Sequence, residues 1–223
     1  GVHVFAEKPI ATDAPGVRRV EKACALAKKK GISVVSGLCY RYHDGRRATV
    51  QKLQEGAIGD ILTMQGNYIT GELWFRPVED NWSDLQKQVR NWLYYTWLSC
   101  DHIGEQHIHT LDMLAWIKGD VYPKAATSLG GRQKRTDPKF GNVFDHFSTT
   151  YEWEDGTRGI AQCRQQNNCW RDVNEYIYGT KGKANVFRHQ LAGEDKWRYA
   201  GKLRHMYQAE HDEMFAAIRA GRP

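Results

Sequence analysis

The sequence has no run of about 18 apolar residues, the length that a membrane-spanning helix requires. It has no Cys-x-x-Cys pair either. The closest two of its five cysteines, Cys163 and Cys169, have five residues between them, which leaves out zinc ribbons and dithiol redox centres and favours reduced, buried thiols. Prolines number only six, and with 26% charged and 12% aromatic residues the composition is neither disordered nor fibrous. No two glycines stand two residues apart, so a Gly-x-Gly-x-x-Gly turn cannot occur in these 223 residues. Acidic side chains are in deficit, 26 against 32 basic, for a net charge of +6. The basic residues are scattered, however, and no zinc-finger, RRM or basic-zipper pattern accompanies them, so no nucleic-acid partner is read. Gly1 to Ala6 lacks the basic start and long apolar middle of a secretory leader.

What is present reads first as strand, helix, strand. Val2 to Ala6 is a buried-strand pattern. Asp13, with Pro15 close behind, starts a helix whose stripe of Val17, Val20, Ala23, Cys24 and Ala27 runs to Gly31. Lys28-Lys29-Lys30 then sits where cations favour the helix dipole. Ile32 to Val35 is the next strand, and the unit implies parallel pairing. A helix over about 45–54 and a strand over 60–72 follow. Residues 73–99 break the periodicity and carry seven aromatics, which argues for an ordered, functional loop. One long helix is expected over 101–118. Strands over 143–153 and 157–163 flank Asp155-Gly156, a strong hairpin signal, and strands over 173–178 and 184–187 flank a second turn. A last helix covers 208–220.

The fold expected is α+β, a large and mostly antiparallel open sheet with helices on one face. A strand at residue 1 needs ladder partners, so both ends read as cut from a longer protein.

Reactive side chains concentrate in Asp101-His102-Ile103-Gly104-Glu105-Gln106-His107-Ile108-His109-Thr110-Leu111-Asp112. On a continuous helix, Asp101, Glu105, His109 and Asp112 would share an arc of about 80°. Glu105 would then hold the His109 imidazole and raise its basicity, as in a general base. His102, Glu105 and His109 could instead ligate a metal for a hydrolase or lyase, although the His-Glu-x-x-His order is absent. Glu7-Lys8-Pro9 closes the first strand, the end at which ligands collect in α/β sheets.

Ala6-Glu7-Lys8-Pro9, Tyr40-Arg41-Tyr42, Gly56-x-x-Gly59-Asp60 and Glu105-x-x-x-His109-x-x-Asp112, in that order, resemble the Gfo/Idh/MocA oxidoreductases (glucose-fructose oxidoreductase and inositol dehydrogenase among them). Arg90 to Asp112 is similar to a bacterial subgroup of uncharacterised dehydrogenases. The resemblance covers the whole chain and implies a division. Residues 1–36 would be the βαβ remnant of a Rossmann domain, and 37–223 a substrate-binding and oligomerisation domain, like that of dihydrodipicolinate reductase.

It further implies NAD or NADP, bound mainly by a preceding domain, and a sugar or polyol whose CH–OH group is oxidised. Lys8 would contact the nicotinamide ribose and substrate, with Glu7 and Pro9 shaping that turn. His109 would accept the proton and Glu105 would tune it. Tyr40, Arg41, Trp92, His107 and Asp112 would line the sugar pocket. Glu105 and His107 depart from the aspartate and glycine usual in that family, and Cys100-Asp101-His102 replaces a glycine-rich lead-in. Some relatives use transient oxidation to drive elimination or hydrolysis. Without the glycine turn, the chain alone is expected to bind dinucleotide weakly and to be inactive. The uncovered sheet face, expected to be apolar, should pair with another copy into a homodimer or homotetramer. A non-catalytic carbohydrate-binding protein would keep the same fold.

Overall fold

The computed structural model describes residues 1–222, so Pro223, the expected end of the second unit, lies outside the described residues. Strand β1 (Val4–Ala6) and strand β2 (Val34–Ser36) pair in parallel, with Val4 opposite Val34. Helix α1 (Ala14–Lys29) connects them. It starts where the Asp13 carboxylate accepts the Gly16 N–H at 2.6 Å, and it stops before Gly31, whose φ of +67° suits glycine. A 3₁₀ turn at Cys39–Tyr42 leads into α2 (Asp44–Gln54) and then the ten-residue strand β3 (Ile61–Thr70).

The aromatic segment after β3 is not one loop. It contains α3 (Asp84–Arg90), a 3₁₀ turn at Trp92–Tyr94 and α4 (Thr96–Ser99). Its aromatics build a small core of their own, in which Leu93, Tyr94 and Val143 are buried against Phe75 and Phe140. The Tyr94 hydroxyl donates to the Trp74 carbonyl at 2.9 Å, so burying that phenol leaves no donor unpaired.

The single helix expected over 101–118 is two helices, α5 (Asp101–Glu105) and α6 (Ile108–Ile117). The His107 N–H reaches back five residues to the His102 carbonyl, and the His109 N–H reaches back three to Gln106. The pitch therefore changes across the join, and a constant 100° per residue does not hold. The approach to α5 is also unusual. Cys100 and Asp101 have φ of +61° and +57°, left-handed values that side chains other than glycine seldom adopt. Asp101 offsets part of that strain by accepting the Phe144 N–H at 2.8 Å.

Strands β4 (Ala125–Gly131), β5 (His146–Glu152), β6 (Arg158–Gln165), β7 (Asp172–Gly179), β8 (Gly182–Asn185), β9 (Gln190–Gly193) and β10 (Trp197–Arg198) complete one eight-stranded sheet, and α7 (Met206–Arg219) is the last described element. The strand order is β10-β9-β8-β7-β3-β6-β5-β4, and within this sheet only the β3–β6 pair is parallel. The large, mostly antiparallel sheet is as expected, although the sequence reading omitted β4, β9 and β10.

Helices α2 and α6 cover one face. Val50 and Leu53 of α2 and Met113, Leu114 and Ile117 of α6 meet Met64 of β3 and Ile177 of β7. Burying each such side chain is worth roughly 2 kcal/mol. Gly66 in β3 lets α6 approach: a Cβ there would lie 2.5 Å from Thr110 Cγ2. The opposite face is less apolar than expected. Gln65 and Asn67 of β3 and Gln162 of β6 share it with the exposed Leu129, Ile160 and Tyr178. Among the described residues, no helix is long and apolar enough to cross a membrane.

Candidate active site

The turn after β1 and the end of α5 come together although they are 97 residues apart in sequence. Lys8 Nζ donates to Glu105 Oε1 at 2.6 Å and also to the Glu105 backbone carbonyl. Both side chains are mostly buried, at 16% and 10% exposure. This replaces the expected Glu105–His109 contact. The changed pitch between α5 and α6 separates the two residues' directions, and the carboxylate serves a lysine instead. Its other oxygen, Oε2, is buried with no partner.

His109 opens the first turn of α6 and is 9% exposed. Its Nδ1 is buried without a hydrogen-bond partner, whereas Nε2 is not so enclosed. The ring packs against Tyr40, from the 3₁₀ turn before α2, at 4.9 Å between centroids. Burial, then the cationic Lys8, then Arg46 push the His109 pKa down to about 4. The imidazole is therefore neutral at neutral pH. The sequence reading expected a carboxylate to raise its basicity; the neighbouring charges are of the opposite sign.

The other expected site residues divide into two groups. His107, like Tyr40, lies close by, with its ring edge-on to Tyr68 at 6.4 Å. Both its nitrogens are buried and unpartnered, and burial lowers its pKa to about 3. Tyr68 is itself held above the usual phenol range by burial and by the Glu105 charge. Arg41 and Asp112, by contrast, are spent on each other. Two guanidinium nitrogens reach the Asp112 carboxylate at 2.8 Å, Asp120 adds a third contact at 2.6 Å, and Trp116 lies against the guanidinium. Trp92 packs on Trp74 at 6.0 Å, beside the aromatic core. Glu7 faces Glu210 of α7, whose carboxyl is pushed up by burial and by the Glu7 charge. The Lys8–Pro9 bond is cis.

His102, Glu105 and His109 are not brought together. His102 sits near Phe147, Arg135 and Asp145, with both ring nitrogens buried and unpartnered. Among the described residues no three His, Cys, Asp or Glu side chains gather as a metal would require.

Sequence reasoning missed Arg46 and Glu175. Arg46 Nη1 meets Glu175 Oε2 at 2.6 Å, and the two side chains are 3% and 0% exposed. A signal existed. Arg46 lies on the stripe of α2 that carries Val50 and Leu53, and Glu175 alternates with Ile177 toward the helices. A charge on each of two buried stripes implies that they pair.

The comparisons with known proteins agree with this architecture. A family model described as GFO/IDH/MocA C-terminal domain matches residues 46–185. The 2,7-anhydro-N-acetylneuraminate hydratase of Escherichia coli (strain K12) is 28% identical over 212 residues, covering 95% of this chain and 51% of its own length. Aldose-aldose oxidoreductase from Caulobacter crescentus superposes with a TM-score of 0.75 at 19% identity, over 99% of this chain and 63% of that one. Levoglucosan dehydrogenase in complex with NADH and levoglucosan gives 0.72 at 20% identity, over 99% and 65%. The chain spans about half the length of the E. coli hydratase. It belongs to the Gfo/Idh/MocA oxidoreductase family and holds that family's C-terminal domain.

Proposed function

We propose that this chain is the substrate-binding part of an NAD(P)-dependent oxidoreductase acting on a CH–OH group of a sugar or polyol. The observation that carries this reading is the Lys8–Glu105 ion pair near enough to the His109 imidazole for the fixed ammonium to act on it and keep it neutral. His109 Nε2 is the proton acceptor. Lys8 Nζ donates to the reacting oxygen and favours its oxyanion, while Glu105 holds the lysine in place. The same ammonium weakens the imidazole as a base and strengthens the hydroxyl as an acid, so transfer depends on both being close to it. Tyr40 lines the substrate side, whereas His107, expected there, is 1% exposed with both ring nitrogens sealed from a ligand.

The residues present fit the nicotinamide end of a dinucleotide. Lys8 would meet its ribose, with Glu7 and Pro9 shaping the turn, and no glycine turn in the chain would seat the pyrophosphate. When bound, the nicotinamide ring supplies the acceptor for the substrate's hydride. The chain alone is accordingly inactive and binds dinucleotide weakly. The division at 36/37 follows the same logic, with β1, α1 and β2 completing a preceding nucleotide-binding domain. The open face, with Leu129, Ile160 and Tyr178 exposed, pairs with another copy into a dimer or tetramer.

The E. coli relative is named as a hydratase of an anhydro sugar. That name favours a second outcome at this site, in which oxidation is transient and the net reaction is an elimination or hydration. In the intact protein, His109→Ala should lower turnover about 100-fold or more, as loss of a general base does. An unchanged rate removes His109 from the mechanism.

A further inference from the structure

Behind His109 lies a cation almost wholly removed from solvent, the Arg46 guanidinium, 3% exposed. Arg46 Cζ stands 3.8 Å from the centroid of the Tyr40 ring, and that ring packs against His109 at 4.9 Å. The guanidinium cannot drift, because Nη1 is bound to Glu175 Oε2 at 2.6 Å and Phe187 lies against it. Glu175 comes from β7 and also faces Thr110, the residue after His109. Its second oxygen and the Thr110 hydroxyl are both buried without a good hydrogen bond. One carboxylate thus stands between the helix that carries the cation and the helix that carries the imidazole.

We propose that Arg46 and Glu175 are positioning residues for His109: the buried pair fixes the Tyr40 ring on which the imidazole rests and places a permanent positive charge behind it. The proposal rests on the reading of His109 as the base. A guanidinium suits the task, being planar enough to lie on a phenol ring while one nitrogen stays on a carboxylate. The charged and titratable groups facing the imidazole are Lys8 from the end of β1, Tyr40 from the 3₁₀ turn and Arg46 from α2. Glu105 of α5 is engaged by Lys8. Lys8 is within reach of a ligand, so its effect changes when substrate binds. Arg46 is sealed, and its effect does not.

The test is histidine-selective NMR of the intact protein, combined with the pH dependence of kcat/KM. Arg46→Met keeps the bulk and removes the charge, and it should raise the His109 titration midpoint, by less than burial and Lys8 lower it. The acid limb of kcat/KM should follow. Arg46→Lys keeps the charge but not the flat stack. Its midpoint should stay near that of the wild type, while the His109 ring signals lose the shift that the Tyr40 ring imposes. A folded Arg46→Met protein with an unmoved His109 midpoint overturns the proposal. Should Arg46→Met fail to fold, an Arg46→Lys protein with unmoved His109 signals and an unchanged kcat/KM profile overturns it. A midpoint that moves while the rate profile does not supports the positioning role and counts against His109 as the base.

Discussion

Helix α1 is capped by Asp13 and closed before Gly31, and none of its sixteen residues is buried. Helices α5 and α6 start differently, although α6 ends before Gly119, at φ of +70°, much as α1 ends before Gly31. Neither has a side-chain cap, α5 starts from two left-handed residues that are not glycine, and between them they bury Asp101, His102, Glu105, His109 and Thr110. The first helix is specified by its own residues. The second pair is specified by what surrounds it, since polar groups without partners and a strained backbone persist only where packing over-determines them. The difference marks α5 and α6 as the candidate site without reference to any relative.

The largest effect should come from the packing that holds α6. Leu114 is 1% exposed and lies over Gly66 and Gly159. Leu114→Ala should lower unfolding free energy by about 3 kcal/mol in urea titrations. A loss below about 1 kcal/mol would show that α6 is not held by its contacts, and the contrast with α1 would fail.

The next effect is in the pH dependence. His102, His107 and His109 all have pKa values lowered in the folded state, to about 3, 3 and 4. Between those values and the unfolded value near 6.5, the unfolded chain binds more protons. The stability these neutral rings allow is complete above about pH 6.5 and is lost as pH falls toward 4 for His109 and toward 3 for His102 and His107. The slope is up to about 1.4 kcal/mol per pH unit for each ring. His102→Leu, which removes a buried imidazole with no hydrogen bonds, should make that acid limb shallower and leave stability at pH 7 within about 1 kcal/mol. An unchanged limb would mean that His102 is not buried as a neutral ring.

The smallest effect belongs to α1. Asp13→Ala removes its cap and should cost about 1 kcal/mol. A cost near 3 kcal/mol would place α1 in the same class as α6.

Much of this could be read from residue order. Asp13, Pro15 and Gly31 mark α1 to within a residue or two, and Asp155-Gly156 marks the turn between β5 and β6. Strand β4 was not legible, because Ala-Ala-Thr-Ser-Leu-Gly-Gly has no alternation, and most of it stays exposed at the sheet edge. Nor was the join between α5 and α6, where no proline or cap announces the change of pitch. Within the site, His109 and Lys8 stood out by residue type and motif. Their grouping did not, since the ion pair Lys8–Glu105 and the pair Arg46–Glu175 span 97 and 129 residues. Local pattern carries no information about which distant charge a side chain will meet.

The placement of β3 has a consequence for how the chain reaches this state. It is the first strand of the large sheet to be made, yet both its neighbours, β6 and β7, lie about ninety residues or more downstream, one parallel and one antiparallel. It can form no hairpin of its own. The β4-β5-β6 meander and the β7-β8-β9 ribbon are local and can assemble early, but the seam between them closes only when β3 is threaded in. Such late joining of remote segments slows folding. Newly made chains therefore hold their longest strand unpaired at least until β6 has emerged, and half-paired until β7 has.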